Sequence, residues 1–277
     1  MTTLKLQIIP HHSLANNHRK AINHALRLLP EEQREHPQSV RDQYATIDAL
    51  KAYPVPYTPM EIFELITQSG ADGIAEKINT VAAEQNRREL FDSIRINVQN
   101  AGERRLERAI IDAQNEYATM LKQPREAAEN AIKKAAPHLP AIDYQAAVLQ
   151  GTGEHLKAAL AAFETLHTLA KMWRVNKPEG FGSIAGGNLA YYAHPTATVP
   201  IPQREAFTRR RVDSPEAQEI TTAVQEACEA FYTDPPAAIL AIARGEHKHW
   251  EIKSPATVEE LTHALEQIQR AHQTENH

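Results

Sequence analysis

The chain is short of cysteine, of glycine, of long hydrophobic runs and of charge of one sign, and each shortage excludes something. Cys228 is the only cysteine in 277 residues. An intramolecular disulfide and a cysteine-rich zinc module are therefore excluded, and a reducing compartment fits. No run approaches the ~18 apolar residues that a membrane span needs. Met1 to Pro10 is too short and too polar for a signal peptide. No membrane partner is expected, and the expected location is cytoplasmic or within an assembled virion. The 30 basic and 35 acidic residues leave a formal charge of −5, so no global signature of nucleic-acid binding exists. The 14 histidines matter more, because protonating part of them below about pH 6.5 would carry net charge through zero.

What the chain has in quantity is helix-forming sequence, and Asp72 to Lys134 is its longest stretch. Ala, Glu, Gln, Arg, Ile and Leu dominate there, and these lose little side-chain freedom in a helix. Apolar residues recur in steps of three and four, as at Phe91, Ile94 and Val98, then at Leu106, Ala109, Ala113, Tyr117 and Met120. That is one stripe of a helix. The average step, nearer ~3.6 than 3.5 residues, favours a straight rod over a supercoil. Gly102 lies on the path, but the stripe resumes in phase beyond it, so the helix is expected to continue. Arg104, Arg105, Glu107, Arg108 and Asp112 form a mixed, solvated opposite face. Pro124 predicts a kink around Leu121.

Either side of this rod the start and stop signals are clear. Leu4, Leu6 and Ile8 alternate as in a short edge strand. Ser13 is placed to cap a helix carrying Ile22, Ala25, Leu26 and Leu29 and stopping at Pro30. A second short helix spans Val40 to Ala52, before the stiff connector Pro54 to Pro59. Thr58 and Glu61 make a capping box for a helix ending at Ser69-Gly70. After Pro137 and Pro140, a helix following Asp143 carries Leu156, Ala159, Leu160, Phe163, Leu166, Ala170 and Trp173. It is expected to fold back on the rod as a helical hairpin. Asp213 with Glu216, Asp234 with Pro235, and Thr257 with Glu260 announce three C-terminal helices. The fold class expected is all-α: a long helical hairpin (54–178), smaller helical segments at both ends (1–53 and 213–277), and a Gly/Pro-rich extended arm (179–212).

The arm invites a phosphate-loop reading at Gly180 to Gly187. A P-loop needs Lys-Ser or Lys-Thr after its last glycine, and Asn188-Leu189 stands there instead. A dinucleotide loop lacks its parallel sheet. The arm's Phe181, Tyr191, Tyr192, Val199 and Ile201 suit contacts with a neighbouring subunit, where aromatic anchors carry binding energy. Ser183, His194 and Asp213 stand in an order that permits a catalytic triad, but without a nucleophile elbow or an α/β framework. His247 and His249, with Glu251, would share a face on a strand and could hold a metal ion; on a helix they would point ~200° apart. A histidine-rich solvated turn explains them as well. Arg204, Arg209, Arg210 and Arg211, with Lys171, Arg174 and Lys177 earlier in the chain, are a local basic patch able to meet phosphates. Cys228 lies among apolar helix positions and is expected to be inert packing.

No cofactor or resident metal is expected. The leading expectation is a non-enzymatic structural or interaction protein that self-assembles into a homo-oligomer. Phage head, tail and scaffold components share its helix-rich, motif-poor, cysteine-poor style, and other structural proteins are the further partners expected. Two alternatives stand beside it: a nucleic-acid-binding adaptor using the arginine patch, and a metal-dependent hydrolase at His247 and His249.

Overall fold

The computed structural model describes residues 12–51, 83, 97, 100–139, 143–175, 187–200, 203–204, 211–212 and 214–273. The fold is all-α, with four short strands among the described residues. The chain divides into two compact units, one made of residues 1–35 and 114–277, the other of 36–113. Those boundaries differ from the expected ones at 53/54, 178/179 and 212/213. The reason is packing: the first helix lies against a helix more than a hundred positions away in sequence.

The 36–113 unit contributes α2 (Gln38–Lys51) and α3, described over residues 100–112. Val40 and Ile47 are buried on α2, and the His36 and Tyr44 rings meet with centroids 5.1 Å apart. In α3, Gly102, Leu106 and Ile110 face inward while Arg104, Arg105, Arg108 and Asp112 are exposed; Ile110 takes the buried place that the stripe gave to Ala109, which is half-buried. The helix runs through Gly102, as expected. The edge strand at Leu4 to Ile8, the Pro54–Pro59 connector, the Thr58–Glu61 box and most of 72–99 lie outside the described residues.

The other unit begins with α1 (His12–Leu26). Its start precedes Ser13, so Ser13 is inside the helix and not its cap. The chain then tightens into i→i+3 bonds from Arg27, Leu28 and Leu29 before Pro30. The long rod expected over 72–134 is interrupted at Ala113 and again at Leu121, giving α4 (Gln114–Met120) and α5 (Lys122–Ala135). Pro124 explains the second break, since it has no N–H to give and sits in the first turn of α5. Asp143 caps α6 (Tyr144–Leu149), its carboxylate accepting from the Gln145 and Ala146 N–H groups. The single helix expected after Asp143 is in fact two. Gly151 adopts φ +70°, a left-handed stop that reorients the chain before α7 (Gly153–Val175).

Helix α7 is the spine of this unit, and α1 and α5 both lie along it. Leu156, Ala159, Leu166, Leu169, Ala170 and Trp173 are buried on it. A 3₁₀ turn (Gly187–Tyr191) then leads into β1 (Ala193–Pro195), which pairs antiparallel with β4 (Trp250–Ile252), His194 opposite Glu251. Short β2 (Gln203–Arg204) pairs with β3 (Arg211–Val212). Three helices complete the unit: α8 (Pro215–Thr233), α9 (Pro235–Ala243) and α10 (Val258–Gln273). The cap of α8 is Ser214, accepting from the Ala217 N–H, one residue past the expected Asp213. Asp234 caps α9 as expected. At α10 the Thr257 hydroxyl accepts from the Glu260 N–H, and the Glu260 carboxylate reaches back to the Ala256 N–H. Among the described residues no helix is long and apolar enough to cross a membrane.

Candidate functional site

Four-residue spacing on α7 puts Phe163 and His167 on one face, and Arg174 follows two turns later. The 3₁₀ turn lays Tyr192 across that face. Ring centroids lie 5.7 Å apart for Phe163 and Tyr192, nearly parallel at 9°, and 5.1 Å apart for Tyr192 and Phe231 of α8, tilted at 46°. Together with Tyr232 and the Pro235-Pro236 start of α9 they line an open groove of about 320 Å³. That volume is at the small end of the range for ligand pockets.

The polar chemistry of the groove is sparse and specific. His167 Nδ1 and the Tyr192 hydroxyl are 2.7 Å apart. Burial, then Lys171 and Arg174, push the His167 pKa down, so its ring is held neutral. Burial raises the pKa of Tyr192, which keeps its hydroxyl protonated and able to donate to Nδ1. With the hydroxyl donating, the ring proton sits on Nε2; with Nδ1–H donating to the hydroxyl oxygen, Nε2 is an acceptor. The Arg174 guanidinium carbon lies 5.6 Å from the centroid of buried Tyr191, a cation–π contact. Arg174 Nε is buried and has no hydrogen-bond partner. A desolvated donor left unpaired costs roughly 1–3 kcal/mol.

A second opening lies on another part of the same unit. An apolar groove of about 310 Å³ runs between α5 and α7, lined by Leu28, Pro124, Ala127, Ala131, Ala158 and Ala161 among others. Ala127, Ala158 and Ala161 are exposed, and no charged side chain lines this groove among the described residues. Val148 and Leu149, at the end of α6, are 71% and 87% exposed.

The residues singled out from sequence fare unevenly. Tyr191, Tyr192 and Val199, expected on an arm reaching a neighbour, are buried in their own chain at 3%, 1% and 1% exposure. This corrects the extended-arm reading at those positions. Leu189 to Ala193 is a continuous buried run, with part of it a 3₁₀ turn in a segment expected to hold no helix. Val199 is fixed further by its N–H, which donates to Gln267 Oε1 at 2.6 Å. Phe181 and Ile201 lie outside the described residues, as do Ser183, Asp213, Arg209 and Arg210. Backbone register sets Arg204 opposite Arg211.

His247 and His249 do not take the strand geometry that a shared metal ion needs. His247 is in a bend and His249 in a turn at φ +64°, with the strand starting only at Trp250. Lys248 between them pairs with Glu219 at 2.9 Å. No group of three His, Cys, Asp or Glu is placed to hold a metal among the described residues. His194 stacks on His263, centroids 5.5 Å apart. Cys228 is buried, and burial pushes its thiol up to about 12, so it is inert at neutral pH.

Sequence reasoning saw Phe163 only as core and Arg174 only as a member of a scattered basic group. The 163, 167, 174 spacing on one helix was the available signal. Tyr192, Phe231 and Tyr232 come from distant segments, so no linear pattern joins them. No family model, no curated protein and no solved structure matches this chain.

Proposed function

We propose that the chain is a non-enzymatic structural or interaction protein that assembles with copies of itself. In this reading the alanine-lined groove between α5 and α7 receives a helix of a neighbouring subunit. The observation that carries it is the lining of that groove: exposed alanines on two adjacent helices with no charge among them. Alanine keeps side chains short, so a third helix can approach to the usual 8–10 Å between axes and bury apolar surface on both walls. The exposed Val148 and Leu149 add apolar area to the same unit. Within this reading the protein is a component of a larger assembly, in the cytoplasm or in a virion.

Light scattering and sedimentation of the full chain test the reading. The expected result is an oligomer whose mass falls to that of one chain in Ala161→Glu. Ala161 is exposed, so the fold should accept the charge that an interface would not. A chain that stays monomeric, or an oligomer indifferent to Ala161→Glu and Ala131→Glu, would defeat it.

A second reading, a nucleic-acid-binding adaptor, has one support: the β2–β3 register brings Arg204 and Arg211 of the basic patch together. Gel shifts that weaken steeply with salt, and weaken again in Arg204→Ala with Arg211→Ala, are its expected signature.

A further inference from the structure

Three features of the groove beside Tyr192 point to one kind of ligand. Its walls are rings, with Phe163 half-buried and Tyr232, at the mouth, 85% exposed. Arg174 is the one permanently charged side chain among the described residues lining it, and no carboxylate pairs with it there. The stacking of Arg174 on Tyr191 holds that cation in place without neutralising it. We infer that the groove binds a small planar aromatic anion, a single ring system carrying a carboxylate or phosphate. The ring lies against Phe163 and Tyr232, and the anionic group meets Arg174.

The size and polarity of the site set the limits of this assignment. About 320 Å³ takes one ring system with a short acidic arm. Arg174 lines the groove as its one permanent cation, while its Nε is buried against the protein. His167, bonded to Tyr192 through Nδ1, leaves Nε2 free as a second polar contact. Aromatic ligands gain from offset stacking on exposed rings, and Tyr232 would otherwise leave its whole face in water. Glu164 acts on both His167 and Tyr192, and it opposes an anion from outside the groove. The desolvated guanidinium outweighs it, because a charge-assisted contact made in the groove is screened less than one across exposed surface.

The inference is independent of the assembly reading, since the two grooves share no lining residue. The test is a titration of the full chain with phenyl phosphate and with benzoate, followed by calorimetry and protein NMR. Benzyl alcohol and inorganic phosphate serve as controls that lack the charge or the ring. The aromatic anions are expected to bind at least about tenfold tighter than either control, and Arg174→Gln should remove that advantage. Which of phenyl phosphate and benzoate binds tighter separates phosphate from carboxylate ligands. Intermolecular NOEs from the probe ring to Tyr232 and Phe163 locate it in the unaltered chain, so a variant that fails to fold does not decide the matter. Absence of binding by both aromatic anions, equal binding in a folded Arg174→Gln, or NOEs to another surface would each overturn the assignment. Binding that persists in Ala161→Glu shows that its fate is separate from that of assembly.

Discussion

His167 and His194 are both held below the ordinary histidine value by burial, helped by Lys171 and Arg174 in one case and by Lys253 and His263 in the other. Glu164 opposes the shift at His167, and Glu260 and Glu251 oppose it at His194. The unfolded chain therefore takes up these protons first as pH falls, and the folded chain resists. Stability from both groups is fully present above about pH 6.5 and is lost as pH drops below it toward their depressed values. A thermal midpoint that declines from pH 7 to pH 5.5, with the decline flattened in His194→Gln, is the expected outcome; an unchanged slope in that variant would show that other groups set it. Glu129 behaves oppositely. Burial raises its pKa against the Ser254 N–H bond and the Arg125 and Lys133 charges, so its ionised form is held at a cost that acid relieves. Its Oε1 accepts from the buried Ser254 N–H at 2.8 Å. Glu129→Ala orphans that donor and should cost roughly 1–3 kcal/mol beyond any cavity, whereas Glu129→Gln keeps an acceptor and should cost less. Denaturant melts of the two variants compare them directly. The Glu129 shift was not legible in the sequence, because it arises where the turn after β4 meets α5, 125 positions away.

At the scale of elements, caps and turns decide where helices begin, and they are cheap to test. Asp234→Ala removes the acceptor for the Ala237 N–H and should cost about 1 kcal/mol. Gly151→Ala meets no atom within 4 Å, yet φ is +70° there. Strain alone should then cost about 1 kcal/mol, read as a lower midpoint with unchanged m-value. Helix identity was well announced in the sequence wherever apolar spacing was regular. Leu106, Ala113, Tyr117, Leu261, Leu265 and Ile268 are all buried on the faces the spacing assigned. Boundaries were less legible. Ser214 displaced Asp213 as a cap because Pro215 suits the first helical position and fixes the register by one residue. The Gly187–Val199 segment misled most. Glycine and proline point to an arm reaching a neighbouring subunit, while Leu189, Tyr191 and Tyr192 have the apolar bulk of a core and pack in their own chain. Bulk won, since leaving those side chains in water forgoes roughly 1.5–3 kcal/mol each.

The whole molecule is built with one compact unit interrupted in sequence by the other, residues 36–113 falling between 35 and 114. Ile22, Ala25, Leu26 and Leu29 are buried where α1 and its exit meet the later helices. Burial of side chains this size contributes about 1.5–3 kcal/mol each, against a total stability of only about 5–15 kcal/mol. Removing residues 1–35 should therefore abolish the cooperative transition of the 114–277 part, although its helices are all still encoded. Replacing 36–113 by a flexible Gly/Ser linker should preserve that transition. Near-ultraviolet circular dichroism distinguishes the two outcomes, and a fully native 114–277 fragment would contradict the partition. The same interrupted layout has a consequence in time. On the ribosome α1 emerges well before its partner α7, which ends at Val175. At about 5–20 residues per second, the opening helix waits on the order of ten seconds or more with its apolar face uncovered. A nascent chain arranged this way leans on whatever shields that face, so its yield should respond to translation speed and chaperone supply more than its finished stability would suggest.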